Sequence, residues 1–112
     1  MSSRHAVTSQ PIHPLLATRH STRAFDRDVA LTEPQIAALL EAARWAPSCG
    51  NTQPARFIVA RKDTEVFKRV LGTLDVGNQG WARYAALLVV GVRLVSNDRG
   101  PLPLPTYGLS QA

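Results

Sequence analysis

TEPQIAALLEAARWAPSCGNTQPARFIVA, Thr32 to Ala60, decides how the rest of the chain is read. Thr32 stands where a helix cap accepts the third helical N–H, and Gln35 stands where a capping box returns a bond. Pro34 falls in the first turn, where no intrahelical N–H is needed. Ile36, Leu39, Leu40 and Ala43 then recur at helical spacing, and Pro47 stops the run. This predicts a helix over Thr32–Arg44, with Glu41 facing water. Arg56 to Ala60, RFIVA, reads as a short buried strand. Between them lies APSCGNTQP, Ala46 to Pro54, a dense set of small hydrogen-bonding groups between two prolines. Ser and Asn here can bond local backbone and form a self-capping loop. They can equally hold the carbonyl and imide edges of a heterocycle, with Gly50 permitting close approach. Chemistry alone leaves both readings open.

Downstream, Thr64 to Leu71 predicts a second helix, capped by Asp63 or Thr64 and packed through Val66, Phe67, Val70 and Leu71. GTLDVGNQG, Gly72 to Gly80, reads as a loop or broken helical edge, and Trp81 to Ala85 as the start of another helical piece. Leu87 to Val95 reads as a second strand interrupted by Gly91. Arg93 argues against complete burial along its length. The last stretch is rich in Pro and Gly and offers little core.

Upstream, residues 1–10 read as a flexible tail and residues 11–112 as one small domain. Pro11 to Thr18 predicts a short helix with Ile12, Leu15 and Leu16 on one face. RHSTRAFDRD, Arg19 to Asp28, is polar and turn-like, with Phe25 as its anchor. Helices alternating with two strands give an α+β or α/β unit. Two strands make a small sheet for 112 residues of which 45% are apolar. A chain this short gains from a partner subunit or a cofactor.

Composition narrows the function. Thirteen Lys and Arg against eight Asp and Glu give a formal charge of +5, but no compact basic run exists. Scattered single arginines fit a small anion better than a nucleic acid. Cys49 is the single cysteine, which excludes a disulfide framework, and the three histidines lack metal-ligand spacing. The longest apolar run, Ala85 to Val92, has eight residues, too short for a membrane span. The amino-terminal residues lack a secretory apolar core, so a cytoplasmic address is expected.

Arg19, Ser21 and Arg23 are the first candidate site residues. In an extended stretch, positions two apart face the same way. Two guanidiniums and a hydroxyl would then share one side and form an anion cradle. The competing reading is a solvated basic loop paired with Asp26 or Asp28. Cys49 reads as a small buried residue rather than a nucleophile, since no Cys–His pair is visible. His20 suits general-base work by chemistry but sits among positive neighbours. Asn78 and Gln79, in GNQG, read as a turn or as ligand contacts. Trp81 and Tyr84 read as core or dimer contacts. LGTLDVG lacks the glycine spacing of a dinucleotide fingerprint.

RHSTRAF, Arg19 to Phe25, and EAARWAPSCGNTQPARFIVA, Glu41 to Ala60, together resemble the nitroreductase family of FMN flavoproteins. Their order, the helix between them and the following strand all agree. The resemblance implies an α+β fold with a mixed sheet flanked by helices, of which this chain covers the amino-terminal part. It also implies a homodimer with FMN at the interface. Arg19 would hold the FMN phosphate with Ser21 beside it. Arg23 would reach N1 and O2 of the isoalloxazine and stabilise the reduced anionic flavin. Pro47, Ser48, Cys49 and Asn51 would reach the cofactor from the opposite subunit. Gln53 belongs to the motif and is less expected than these as a direct contact, and Asn78 would face the O4–N5 edge. NAD(P)H would reduce the flavin, and a nitroaromatic, quinone or similar small acceptor would reoxidise it in a ping-pong cycle. No side chain is expected to act as a covalent catalyst, because the flavin carries the chemistry.

Two departures qualify this resemblance. Ala55 stands where the family carries Trp after the motif's QP, which removes a large apolar contact. PTYGLSQA, Pro105 to Ala112, is similar to the start of the family's central dimer helix, so a carboxyl-terminal truncation is expected. The alternatives are a flavin-binding protein without turnover and an inactive fragment with a structural role.

Overall fold

The capping box at Thr32 is formed. The Gln35 N–H donates to Thr32 Oγ1 at 3.3 Å, and the Thr32 N–H donates to Gln35 Oε1 at 2.9 Å. In the computed structural model, which describes residues 5–102, this box opens helix α2, Glu33–Arg44. A shorter helix, α1, Pro14–Thr18, precedes it. A 3-10 turn, Cys49–Asn51, follows it and leads into strand β1, Ala55–Arg61. Helices α3, Glu65–Gly72, and α4, Val76–Ala82, come next. Strand β2, Leu87–Arg93, completes the main sheet. Two short strands, β3 (Ser96–Asn97) and β4 (Gly100–Pro101), form a separate hairpin.

β1 and β2 pair antiparallel, with Ala55 opposite Arg93 and Arg61 opposite Leu87. Directly opposed residues share a face. One face therefore carries Ile58, Ala60, Leu88, Val90 and Val92, and the other carries Phe57, Val59, Leu87 and Val89. Both faces are apolar, the pattern of a sheet made to be covered on two sides. The cover is partial: α3 packs on both strands and α4 packs on α3, while the backbones of α1 and α2 stay apart from every strand and other helix. Ile58 on one face is 46% exposed and Val89 on the other 47%. Among the described residues neither strand has a second neighbour, so each leaves one ladder edge open.

The buried apolar residues are Ile36, Ala60, Phe67, Ala82, Ala85 and Leu102, of which three are alanines. Phe67 is the one large aromatic among them. It sits on α3, whose first turn is fastened by the Phe67 N–H donating to Thr64 Oγ1 at 3.2 Å. Val70 and Leu71 are half-buried beside it, whereas Val66 is exposed.

Several elements differ from the sequence expectation. Gly72 to Gly80 is largely helix α4 rather than loop. The Asp75 carbonyl takes the Asn78 and Gln79 N–H groups at 2.8 and 3.0 Å, and Gln79 Nε2 donates to the Leu74 carbonyl at 2.8 Å. Those bonds and the burial of Ala82 outweigh the low helix propensity of Gly77 and Gly80. Accordingly α4 ends near Ala82, and Trp81 to Ala85 closes a helix instead of starting one. β1 is longer than RFIVA and alternates between half-buried and exposed, because only one of its faces meets α3. Gly91 does not interrupt β2; it lies in register opposite Phe57. Leu102, in the stretch expected to add no core, is buried, and its N–H donates to the Val95 carbonyl at 2.8 Å. At the amino end, the Ala6 N–H donates to the Ala17 carbonyl at 2.8 Å, and Leu15 and Leu16 are exposed. The helix start expected at Pro105–Ala112 lies outside the described residues.

Candidate functional site

Arg19 closes α1 with an extended backbone, φ −64° and ψ 140°, and the chain runs on without regular structure through Phe25. Thr22 Oγ1 and His20 Nε2 lie 3.5 Å apart, so the even-numbered side chains share a side. Arg19, Ser21 and Arg23 alternate with them along the segment. All three are exposed. The two described ion pairs are Arg44–Glu41 and Arg61–Glu33, so neither Arg19 nor Arg23 meets a carboxylate among the described residues. The expected competition from Asp26 or Asp28 is absent: Asp26 Oδ1 instead accepts the Asp28 N–H at 2.9 Å.

Phe25 fastens this segment. Its ring stacks on Trp81 of α4, with centroids 6.0 Å apart and planes 22° apart. Trp81 Nε1 in turn donates to Asn78 Oδ1 at 3.3 Å. Two aromatic rings thus join the arginine segment to the helix that carries Asn78. With its carbonyl taken by Trp81, Asn78 has its amide hydrogens left to offer.

The 47–53 turn is organised differently. Gly50, Asn51 and Gln53 all have positive φ, at 57°, 56° and 49°. Ser48 Oγ accepts the Gln53 N–H at 3.0 Å, Asn51 Oδ1 accepts from Gln53 Nε2 at 2.9 Å, and Thr52 Oγ1 donates to the Cys49 carbonyl at 2.8 Å. Both sequence readings are therefore partly realised. The turn caps itself through the acceptor oxygens of Ser48 and Asn51, which leaves the Ser48 hydroxyl proton and the Asn51 amide hydrogens as outward donors. Cys49 was expected to be buried and is exposed, because it heads a turn that no described element covers. Pro47 is also exposed. Within one chain no bond or ring contact joins this turn to Arg19, Ser21, Arg23 or Asn78. A groove of about 340 Å³ beside it is lined by Leu40, Ala43 and Arg44 of α2 and by Gln53, Arg56 and Phe57. Of the 47–53 turn's residues only Gln53 reaches that groove.

Glu41 was expected to face water without a partner. It is exposed, yet it accepts from Arg44 Nη1 at 3.0 Å and Trp45 Nε1 at 2.9 Å. The Arg44 guanidinium carbon also lies 5.7 Å from the Trp45 ring centroid. Trp45, 74% exposed, is thereby held in one orientation immediately before the turn. The i, i+3 and i, i+4 spacings carried that signal.

The sequence model of the Nitroreductase family matches residues 16–94. This chain belongs to the nitroreductase family. Within it, a protein of Archaeoglobus fulgidus that carries the name NADH dehydrogenase/NAD(P)H nitroreductase is 36% identical over 75 residues, 67% of this chain and 42% of that protein. Among solved structures, an oxidoreductase containing FMN superposes with a TM-score of 0.78 at 34% identity, over 90% of this chain and 51% of that one. A structure described as a nitroreductase in complex with FMN from Desulfovibrio desulfuricans superposes with a TM-score of 0.62 at 28% identity, over 72% of this chain and 47% of that one. The α+β fold is thus that of the nitroreductases. The chain spans about half the length of the relatives it matches. Among the described residues no helix is long and apolar enough to cross a membrane.

Proposed function

We propose that this nitroreductase-family chain supplies one side of an FMN site in an oxidoreductase that moves hydride from NAD(P)H to a nitroaromatic, quinone or similar acceptor. One observation carries the reading: Arg19 and Arg23 stand four positions apart in an exposed segment and have no counter-charge among the described residues. A phosphate dianion and an electron-rich pyrimidine edge are what two such guanidiniums would receive. The donor set fits FMN in kind, with guanidinium and hydroxyl at one end and amide donors at the other.

Arg19 and Ser21 hold the phosphate in this reading, and Arg23 places positive charge beside N1 and O2, where negative charge develops. Asn78 offers its amide hydrogens to the O4–N5 edge. Bound FMN would supply the hydride acceptance and donation. Pro47, Ser48, Cys49 and Asn51 serve the site of a second copy, which accords with their separation from Arg19 and Arg23 within one chain. The FMN in both solved relatives and the A. fulgidus protein's NAD(P)H nitroreductase name support the same assignment.

The test is an absorbance spectrum of the purified chain after incubation with FMN and removal of free cofactor. Retained flavin bands, followed by NADH or NADPH oxidation with a quinone acceptor, are expected. Bands without oxidation would reduce the function to flavin holding. A colourless folded chain would remove the flavin reading altogether.

A further inference from the structure

Arg27, Lys62, Arg83 and Tyr84 come from three separate parts of the sequence and meet at one place. Arg27 follows the segment anchored by Phe25, Lys62 comes one residue after β1, and Arg83 and Tyr84 follow α4. The Arg27 guanidinium carbon lies 4.8 Å from the Tyr84 ring centroid, and that of Arg83 lies 6.0 Å from the same centroid. Lys62 Nζ donates to the Arg27 carbonyl. Two guanidiniums thus lie at one ring, and Lys62 Nζ is tied to the backbone of one of them.

None of the three has a carboxylate within 4.0 Å among the described residues, since the ion pairs there are Arg44–Glu41 and Arg61–Glu33. Placement over a ring uses a guanidinium's positive charge and leaves its N–H donors available. Lys62 retains two ammonium protons beyond the one given to Arg27. Like charges brought to one part of the surface without an opposite charge favour an anion that joins them.

We propose that Arg27, Lys62 and Arg83 form a binding site for a phosphate dianion, separate from the Arg19–Arg23 segment. Three donor groups match three terminal phosphate oxygens, and guanidinium forks bind phosphate in a bidentate manner. A carboxylate has only two oxygens and half the charge. Two sources share this chemistry. One is the 2′-phosphate of NADPH, which NADH lacks; that source rests on the hydride-transfer reading above. The other is free inorganic phosphate.

The test is a titration of the full 112-residue chain without FMN, followed by NMR at fixed ionic strength, with 2′-AMP, adenosine and inorganic phosphate as probes. We expect 2′-AMP to bind at least ~10-fold more tightly than adenosine. Arg27→Gln and Arg83→Gln should each weaken 2′-AMP by about 10-fold or more. Arg69→Gln, which removes a positive charge from an exposed site on α3, should not weaken it. Stronger binding of 2′-AMP than of inorganic phosphate assigns the site to NADPH, and equal binding assigns it to free phosphate. Equal affinity for 2′-AMP and adenosine, or glutamine variants that bind like the parent, would overturn the proposal. Because FMN is absent, a colourless chain that binds 2′-AMP retains this site while losing the flavin reading, and a yellow chain that ignores 2′-AMP does the reverse.

Discussion

The sheet unit of β1, β2, α3 and α4 and the arm formed by α1, α2 and the 47–53 turn are built on different terms. The first holds three of the six buried apolar residues, Ala60, Phe67 and Ala82, with Ala85 in the connection from α4 to β2, and its elements pack on one another. The second holds only Ile36 and keeps its shape by local means: a capping box at Thr32, an Asn51–Gln53 bond, and Glu41 gripping Trp45. Seven of the eight residues expected at the flavin lie on the arm or on the segment leading out of α1, and only Asn78 belongs to the packed unit. Stability and candidate chemistry are thus spatially divided, which suits a site completed by a second copy.

Phe67→Ala should break the comparison most severely. Removing the one large aromatic of the core should lower unfolding free energy by about 3–5 kcal/mol, read by denaturant titration. A loss under about 1 kcal/mol would mean that the packed unit is not where stability resides. Arg23→Ala should act in the opposite sense. FMN affinity should fall by about 10- to 100-fold, the range for a hydrogen bond to a charged group. The denaturation midpoint should stay within error of the parent, because Arg23 is exposed and has no ion pair among the described residues. Equal damage to folding and binding would erase the division.

Smaller effects sharpen it. Thr32→Ala removes the side-chain half of the capping box and should cost about 1 kcal/mol of stability. The loss should appear as faster amide exchange in α2, with α3 unaffected. Exchange rising equally in both helices would show that the arm and the sheet unfold as one. Trp45→Ala should change the stability of the isolated chain by less than about 0.5 kcal/mol, as for other exposed positions. Its effect should appear in sedimentation, as weaker self-association. An unchanged sedimentation profile would remove Trp45 from the partner surface.

The sequence revealed local devices better than distant ones. Thr32 with Gln35 and Thr64 with Phe67 announce their helices because cap and periodicity lie within one turn of each other. The self-bonding of the 47–53 turn was legible for the same reason, since Ser48, Asn51 and Gln53 are neighbours. α4 was misread because Gly77 and Gly80 depress local propensity, while its hydrogen bonds to Asp75 and Leu74 follow from how the preceding turn is placed. The Phe25–Trp81 stack was invisible to spacing, although each ring was singled out as an anchor or contact. Arg27, Lys62 and Arg83 were readable only as scattered charges, because nothing short of the tertiary fold brings positions 27, 62 and 83 together.

The Glu33–Arg61 ion pair has a mechanical consequence. Among the described residues it is the one side-chain ion pair between α2 and the sheet, and its partners are 77% and 44% exposed. Such a pair is worth at most about 1 kcal/mol. At physiological ionic strength the screening length is about 8 Å, so added salt weakens it further. The pair acts as an electrolyte-sensitive latch at the amino end of α2, whose other end runs through the 47–53 turn into β1. Raising the salt concentration should therefore loosen the Glu33 end of α2 first, while the β1–β2 register stays fixed.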